Sequence, residues 1–177
     1  LAKEHLLPGD TEGSIIFYEN TLEKLKTELA RKPIKPRAVF FSPSSDLFQP
    51  VAEVLELGHR ILEFLYSQDI GVTVLTKGRI PDDSMCLLLG HADMGRAEIG
   101  IISLDEDVAT VFEPYAAPPK VRLEQMKKLV LGGVQTEARV DPILPGISDT
   151  PEGLSNLFAS IAAAGVMRAA TGTLFLR

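Results

Sequence analysis

Residues 71–76, Gly71-Val72-Thr73-Val74-Leu75-Thr76, form a short, almost continuously apolar run rich in β-branched side chains. Such a run is typical of a strand covered on both faces of a parallel sheet. Before it, residues 51–67 carry apolar side chains at helical spacing, and Pro50 stands where its missing N–H costs nothing. After it, Pro81-Asp82-Asp83 opens a shorter predicted helix. A strand between two helices indicates a parallel α/β architecture.

The same alternation of strands and helices extends along the whole chain. Strands are predicted over 37–42, 71–76, 97–103, 134–143 and 167–176, and helices over 21–31, 51–67, 81–89, 105–112, 119–131 and 150–164. Because each helix returns the chain to the same edge, the strands must run parallel. We therefore expect one α/β domain over 1–177, with 1–36 as an N-terminal helix and linker. Its sheet is either doubly wound or curled into a partial (βα) barrel of about five strands.

Composition excludes several classes of protein. Of 177 residues, 45% are hydrophobic and 24% charged, which is typical of a globular domain. The net charge of -6 disfavours nucleic acid as a partner. With neither a secretory signal nor an apolar run of about 18 residues, we expect no membrane partner and a cytoplasmic location. The chain begins at Leu1 rather than methionine, which suggests that its natural start has been lost.

The single cysteine, Cys86, can form neither an internal disulfide nor a cysteine-based metal site alone. It lies among apolar residues of a predicted helix, which predicts a thiol packed in the core. His59 and His91 have no partner at metal-ligand spacing. Motifs for phosphate loops, zinc proteases and serine hydrolases are absent from the sequence.

Polar side chains follow the predicted strands, where parallel α/β proteins bind ligands. Asp46 follows the first strand, Lys77 the second and Ser103 the third. Their types suggest a zwitterionic or hydroxylated ligand, with Asp46 for an amino group, Lys77 for a carboxylate and Ser103 for a sugar hydroxyl.

Each of these residues also has a simpler interpretation. Asp46 can close a local turn, and Ser103, two residues before Asp105, can cap a helix. Lys77 can serve as a Schiff-base or phosphate lysine, or be solvated. Glu113-Pro114 is interpreted first as a helix stop.

Six stretches between residue 37 and the end, taken in order, carry a family resemblance. They are Phe41–Pro50, Leu75–Gly78, Gly100–Glu106, Phe112–Pro114, Arg122-Leu123 and Pro142–Asp149. Together they resemble the spore photoproduct lyase-like branch of the radical S-adenosylmethionine superfamily. The resemblance implies a partial barrel of six βα units, whose first strand is followed by a C-x-x-x-C-x-x-C motif that holds a [4Fe–4S] cluster. The five strands here look like the second to sixth, so the chain is expected to lack the N-terminal cluster-binding part.

The resemblance also implies roles for individual residues. Ser44, Ser45 and Asp46 would lie beside the methionyl amino group of S-adenosylmethionine. Lys77 would pair with its carboxylate, Ser103 would lie near the ribose, and the segment containing Ile143 and Leu144 would border the adenine.

By the same resemblance, the intact protein would use an external electron donor to cleave S-adenosylmethionine reductively. The resulting 5′-deoxyadenosyl radical would abstract hydrogen from an unknown substrate. Cleavage needs an electron from a thiolate-bound cluster, so this chain alone is expected to be inactive.

The sequence leaves two other functions open. The chain could instead be a lysine-dependent aldolase-type barrel enzyme that uses Lys77, or a non-catalytic cofactor-binding module. A missing barrel strand would leave an open edge, so we expect self-association through it or cover by residues 1–36.

Overall fold

A computed structural model describes residues 2–6, 14–41 and 45–174 of the chain. The strands are β1 (Ala2–Leu6), β2 (Ser14–Tyr18), β3 (Ala38–Phe41), β4 (Gly71–Thr76), β5 (Gly95–Gly100), β6 (Gln135–Ile143) and β7 (Ala169–Thr173). The helices are α1 (Thr21–Arg31), α2 (Ala52–Ser67), α3 (Asp82–Gly90), α4 (Glu106–Phe112), α5 (Pro119–Leu131) and α6 (Pro151–Ala163).

Strands β3 to β7 form one parallel sheet in the order of the chain, β3-β4-β5-β6-β7. A doubly wound sheet reverses its strand order at a switch point, whereas here every strand lies beside the next one in sequence. The α/β fold class is confirmed, and the sheet winds as a partial barrel. All five carboxyl ends therefore share one rim, which is where the sequence places the candidate residues.

The core lies between the sheet and its crossover helices. Val74 and Ile99 on the central strands are fully buried, as are Leu65 on α2, Leu88 on α3 and Leu129 on α5. Helical spacing turns these apolar faces inward because burying them is favourable. None of the helices in the described ranges is long and apolar enough to cross a membrane.

The third sheet strand differs in extent from its prediction. It covers Gly95–Gly100 instead of 97–103. Ile101 still donates a backbone hydrogen bond to the Arg139 carbonyl, but the chain then turns toward α4. Ile101 and Ile102 are buried as a continuation of the core, so the apolar run extends past the last paired residue.

The N-terminal region contains a hairpin that the sequence analysis did not anticipate. Helix α1 was expected, and it buries Leu22 and Leu29 against the core. Strands β1 and β2, however, form a separate antiparallel sheet that is not hydrogen-bonded to β3. β3 thus forms one edge of the parallel sheet as described, with Phe40 48% exposed. Self-association through this edge stays a prediction.

The prediction for Cys86 was wrong, since its side chain is exposed. In α3, Met85 and Leu88 point into the core. A helix advances about 100° per residue, so the residue after Met85 leaves the buried face. The apolar neighbours of Cys86 in sequence are therefore not its neighbours in space.

Candidate functional site

The Asp46 carboxylate joins two loops at the rim of the sheet. Its Oδ1 accepts hydrogen bonds from the Phe48 backbone N–H at 2.9 Å and the Thr76 hydroxyl at 2.6 Å. Its Oδ2 accepts the Lys77 backbone N–H at 2.7 Å. Hydrogen bonds to an ionised acceptor are the stronger kind. Asp46 therefore fixes the β3–α2 loop against the end of β4.

Gly78 allows these two loops to approach each other closely. A Cβ atom at this position would lie 2.3 Å from the Phe48 carbonyl oxygen, well inside van der Waals contact. The Gly78 N–H donates to the Thr76 hydroxyl at 2.8 Å, and the Gln125 amide donates to the Gly78 carbonyl at 3.2 Å. The backbone on both sides of Lys77 is thus held in place.

The Lys77 side chain lies across the end of the neighbouring strand β5. A Cβ at Gly100 would come within 2.6 Å of the Lys77 Cγ, so a larger residue there would displace this stem from its present path. The Lys77 Nζ lies 2.9 Å from Glu113 Oε1, and the side chain is 40% exposed. The ammonium group is accordingly directed toward a carboxylate yet remains accessible to a ligand.

Glu113 forms a second, fully buried ion pair with Arg122. The two side chains are 4% and 1% exposed, and Arg122 Nη1 lies 2.5 Å from Glu113 Oε2. Arg122 also donates to the backbone carbonyls of Gly100 and Ala117. Buried charges of this kind persist only when paired and hydrogen-bonded. The pair ties the linker between α4 and α5 to the end of β5.

Sequence reasoning missed the part that Glu113 and Arg122 play in this site. Helix α4 does end at Phe112, so the helix stop at Glu113-Pro114 is confirmed. The available signal was in α5, where Arg122, Met126 and Leu129 occupy positions i, i+4 and i+7 of one buried face. A charged residue at a core position of a helix indicates a buried partner.

A cavity of about 330 Å³ opens between these loops. It is lined by Asp46, Phe48, Gln49, Pro50, Lys77, Gly78, Phe112, Glu113, Pro114, Tyr115 and Ala116. One cation and two carboxylates therefore meet at a largely apolar wall, a combination typical of small-molecule sites.

Ser103 lies at a different cavity from Asp46 and Lys77. It lines a space of about 210 Å³ together with residues that include Asp105, Ser148 and Thr150. Its Oγ accepts the Asp105 N–H at 3.0 Å, and Asp105 in turn caps α4. The structure thus brings Asp46 and Lys77 together, whereas Ser103 binds the residue that caps α4 and is not itself the cap.

The remaining predicted residues lie on the same rim or outside the described ranges. Ser44 falls outside them, and Ser45 is exposed beside Asp46. Ile143 ends β6 and packs against the core, whereas Leu144 is buried and donates its N–H to the Ser148 hydroxyl at 2.9 Å. Within the ranges searched, the structure has no group of three His, Cys, Asp or Glu side chains able to hold a metal ion.

Comparisons with known proteins bear on the fold and leave the function open. No family model matches the chain. ORF301, an uncharacterized protein of Acidianus two-tailed virus, is 27% identical over 135 residues, covering 75% of this chain and 44% of that protein. Rv2578c, an uncharacterized protein of Mycobacterium tuberculosis, is 24% identical over 173 residues, covering 96% of this chain and 51% of that protein. The chain thus spans about half the length of these relatives.

Solved structures identify the architecture. A single-site mutant of spore photoproduct lyase matches with a TM-score of 0.61 at 19% identity, over 82% of this chain and 42% of that chain. SuiB of Streptococcus suis bound to S-adenosylmethionine matches with a TM-score of 0.57 at 10% identity, over 79% and 30%. Both are radical S-adenosylmethionine enzymes. The chain has the fold of a partial radical S-adenosylmethionine barrel. In this partial barrel, β3–β7 form the sheet whose rim carries Asp46, Lys77 and the linker with Glu113.

Proposed function

We propose that this chain is the cofactor-binding part of a radical S-adenosylmethionine enzyme that acts on a substrate still to be identified. The observation that carries this proposal is the Lys77 ammonium at a cavity of about 330 Å³ that is also lined by Asp46 and Glu113. That charge pattern matches an amino-acid zwitterion, and the shared fold supports the choice of cofactor. The net charge of -6 favours small-molecule partners over nucleic acid.

In this proposal the rim binds the cofactor from its amino-acid end to its base. Lys77 holds the carboxylate, while Ser44, Ser45 and Asp46 border the amino group. Ser103 lies near the ribose, and Ile143 and Leu144 border the adenine. The order of the strands supports this arrangement, since β3, β4, β5 and β6 are successive neighbours and their ends follow one another along the rim.

The residues of this chain fit S-adenosylmethionine but not a [4Fe–4S] cluster. Glu113 holds the Lys77 ammonium at the cavity, with Nζ 2.9 Å from Oε1, and the lysine side chain is 40% exposed, so a ligand carboxylate can reach it. A cluster needs three cysteines in this family, and the chain has one, exposed on α3. Cluster ligands would have to come from outside these 177 residues, and an external electron donor would serve the intact enzyme. We expect the chain alone to be inactive in reductive cleavage.

When bound, S-adenosylmethionine would supply a 5′-deoxyadenosyl radical for hydrogen abstraction once a donor outside this chain had provided one electron for its cleavage. The part played by this chain is to orient that molecule, with Lys77 as the fixed cation. An aldolase-type role for Lys77 is less well supported. A Schiff-base lysine needs its amine free to attack a carbonyl, whereas the Lys77 Nζ is held 2.9 Å from the Glu113 carboxylate.

Calorimetric titration with S-adenosylmethionine tests the proposal. Lys77→Met should weaken binding by about 10-fold or more, the effect expected for loss of a charge-assisted hydrogen bond. Lys120→Met is the matched control, because that lysine is exposed on α5, and its affinity should equal that of the unaltered chain. Equal affinity for all three proteins, or no binding by any, would contradict the proposed function. Binding by the intact protein without turnover would favour the non-catalytic module.

A further inference from the structure

We propose that two complementary surfaces of this chain join successive copies of it head to tail. The first surface is the basic segment, residues 31–37, and the second is a groove between α4 and α5. Neither surface includes a residue assigned above to the cofactor, so the inference does not depend on the proposed function.

The basic segment connects α1 to β3 and lies on the surface. Its sequence, Arg31-Lys32-Pro33-Ile34-Lys35-Pro36-Arg37, contains four cations and no carboxylate. Within the described residues none of these cations forms an ion pair, and Lys35 donates a hydrogen bond to the neutral Gln68 side chain at 2.9 Å. Ile34 is 83% exposed. The segment therefore presents an apolar side chain among unpaired positive charges.

Two prolines restrict the conformations of the basic segment. Pro33 and Pro36 have fixed φ angles, and residues 32–37 belong to neither a helix nor a strand. A restrained segment loses less conformational entropy when it binds. Short proline-containing segments are recognised by grooves that aromatic and other apolar side chains line.

The chain also contains a groove of this kind. The α4–α5 groove has a volume of about 430 Å³ and lies between the two helices and the linker that joins them. Ala109, Pro114, Ala117 and Pro119 are among its apolar lining residues, and Tyr115 is the aromatic one.

Exposed apolar side chains cluster beside this groove. Val111, Phe112 and Tyr115 are 70%, 45% and 47% exposed, so three large apolar residues between 111 and 115 face solvent. A contiguous exposed apolar patch marks an interaction surface more often than scattered residues do. The α4–α5 groove and its surroundings thus have the apolar character that Ile34 and the two prolines would match.

The groove also carries the charge that complements the basic segment. Glu106 lines it and Asp107 follows on the same helix; both are exposed, and neither forms an ion pair in the described ranges. Residues 105–124 include five acidic and two basic side chains, of which Glu113 and Arg122 are the buried pair. Four exposed acids and one exposed base remain, which is a net charge of -3. Opposite charges on two surfaces favour their encounter and fix their orientation.

The two surfaces cannot meet within one copy. The basic segment precedes the amino end of β3, whereas α4 follows the carboxyl end of β5, and the strands of this sheet are parallel. A strand of 6 residues such as β5 is about 20 Å long, so the two surfaces lie at opposite ends of the sheet. A contact between two different surfaces joins copies head to tail, into rings or open chains.

Sedimentation velocity of the 177-residue chain at a series of concentrations tests the inference. The average mass should rise with concentration, and added salt should lower it because surface charges are screened. Lys32→Glu with Lys35→Glu should weaken the association about 10-fold or more, and so should Glu106→Lys with Asp107→Lys. An equimolar mixture of these two double variants should restore it, because each segment then meets a groove of opposite charge.

Two further variants separate this contact from a general effect of charge. Lys127→Glu with Lys128→Glu is the matched control, since both lysines are exposed on α5 and the net charge changes by the same amount. It should associate as the unaltered chain does. Ile34→Ser should weaken the association about 10-fold, the effect expected when a buried isoleucine is lost.

A chain that stays monomeric at every concentration would contradict the inference, as would a mixture that fails to restore association. Association that survives both charge reversals would point to the open edge at β3 and would also overturn it. A synthetic peptide of residues 29–39 provides a second measurement. If the peptide binds while the chain stays monomeric, the groove takes a basic segment of another protein, and head-to-tail joining of this chain is wrong.

Discussion

The Asp46 carboxylate accepts hydrogen bonds from two neighbouring loops. The Glu113 carboxylate forms ion pairs with two side chains, Lys77 and Arg122. The first residue was predictable, since it follows a strand in a parallel fold. The second was not, because its burial depends on the linker at 113–118 folding back to donate the Ala117 N–H to the Lys77 carbonyl. That contact joins residues 40 positions apart, and hydrophobic periodicity carries no information about it.

Removal of the Asp46 carboxylate should destabilise the fold. Asp46→Ala leaves the Phe48 and Lys77 N–H groups without their acceptor, and we expect the free energy of unfolding to fall by about 2–3 kcal/mol. Urea denaturation measures it. Asp107→Ala, an exposed aspartate on α4, should lose less than about 1 kcal/mol. An equal loss of unfolding free energy in the two variants would show that the hydrogen bonds of Asp46 do not stabilise the fold.

Tyr66 provides a residue-scale test that is independent of the site. Burial, with a smaller contribution from Asp93, raises the pKa of Tyr66 from 10.0 to about 12, and its ring stacks on His91 at 4.2 Å. Between pH 10 and pH 12 the unfolded chain loses this proton while the folded chain keeps it, so stability should fall as the pH rises through that window.

Tyr66→Phe should lessen this alkaline loss of stability, because it removes the titrating hydroxyl. That hydroxyl is buried without a hydrogen-bond partner in the described part of the chain, so near pH 7 the change should be neutral or stabilising by up to about 1 kcal/mol. Thermal unfolding followed at a series of pH values measures both effects. Tyr18→Phe, at a residue that is 59% exposed, is the control. A Tyr66→Phe profile that matches the unaltered chain above pH 10 would contradict the argument.

At the scale of elements, the apolar periodicity located all five strands of the parallel sheet and the six helices found in the described ranges. It failed where a run of apolar residues continued beyond the hydrogen-bonded ladder, as at Ile101 and Ile102. It also left the β1–β2 hairpin unassigned, although Ser14-Ile15-Ile16-Phe17-Tyr18 is a β-rich run. The ends of a strand depend on which backbone groups form hydrogen bonds with a neighbouring strand. Local residue spacing does not predict pairing between segments that are distant in sequence.

The contact between the β3–α2 loop and the end of β4 yields a prediction at this scale. Gly78→Ala places a methyl group 2.3 Å from the Phe48 carbonyl oxygen, so the loop must move and stability should fall by about 1–3 kcal/mol. Gly90→Ala is the matched control, since a Cβ there meets nothing within 4 Å. In the last turn of α3 it should be neutral or stabilising by up to about 1 kcal/mol. Chemical denaturation measures the stability of both variants. An equal change in stability would contradict the close approach of Gly78 to the Phe48 carbonyl.

For the whole molecule, the repeated strand–helix pattern implied parallel strands but not their order, since a doubly wound sheet reverses that order at a switch point. The observed order is β3-β4-β5-β6-β7. The sequence left the choice between a doubly wound sheet and a partial barrel to the family resemblance, and the barrel is what the fold shows. What the pattern could not show is whether the rim acts as one site. Asp46 and Lys77 share a cavity, whereas Ser103 lines another.

A crystal structure of this chain with S-adenosylhomocysteine tests most directly whether one ligand connects these two cavities. We expect the amino-acid end in the cavity beside Lys77 and Asp46, with the carboxylate about 3 Å from Lys77 Nζ, and the ribose beside Ser103. A ligand bound away from this rim, with Lys77 still paired to Glu113, would contradict the account.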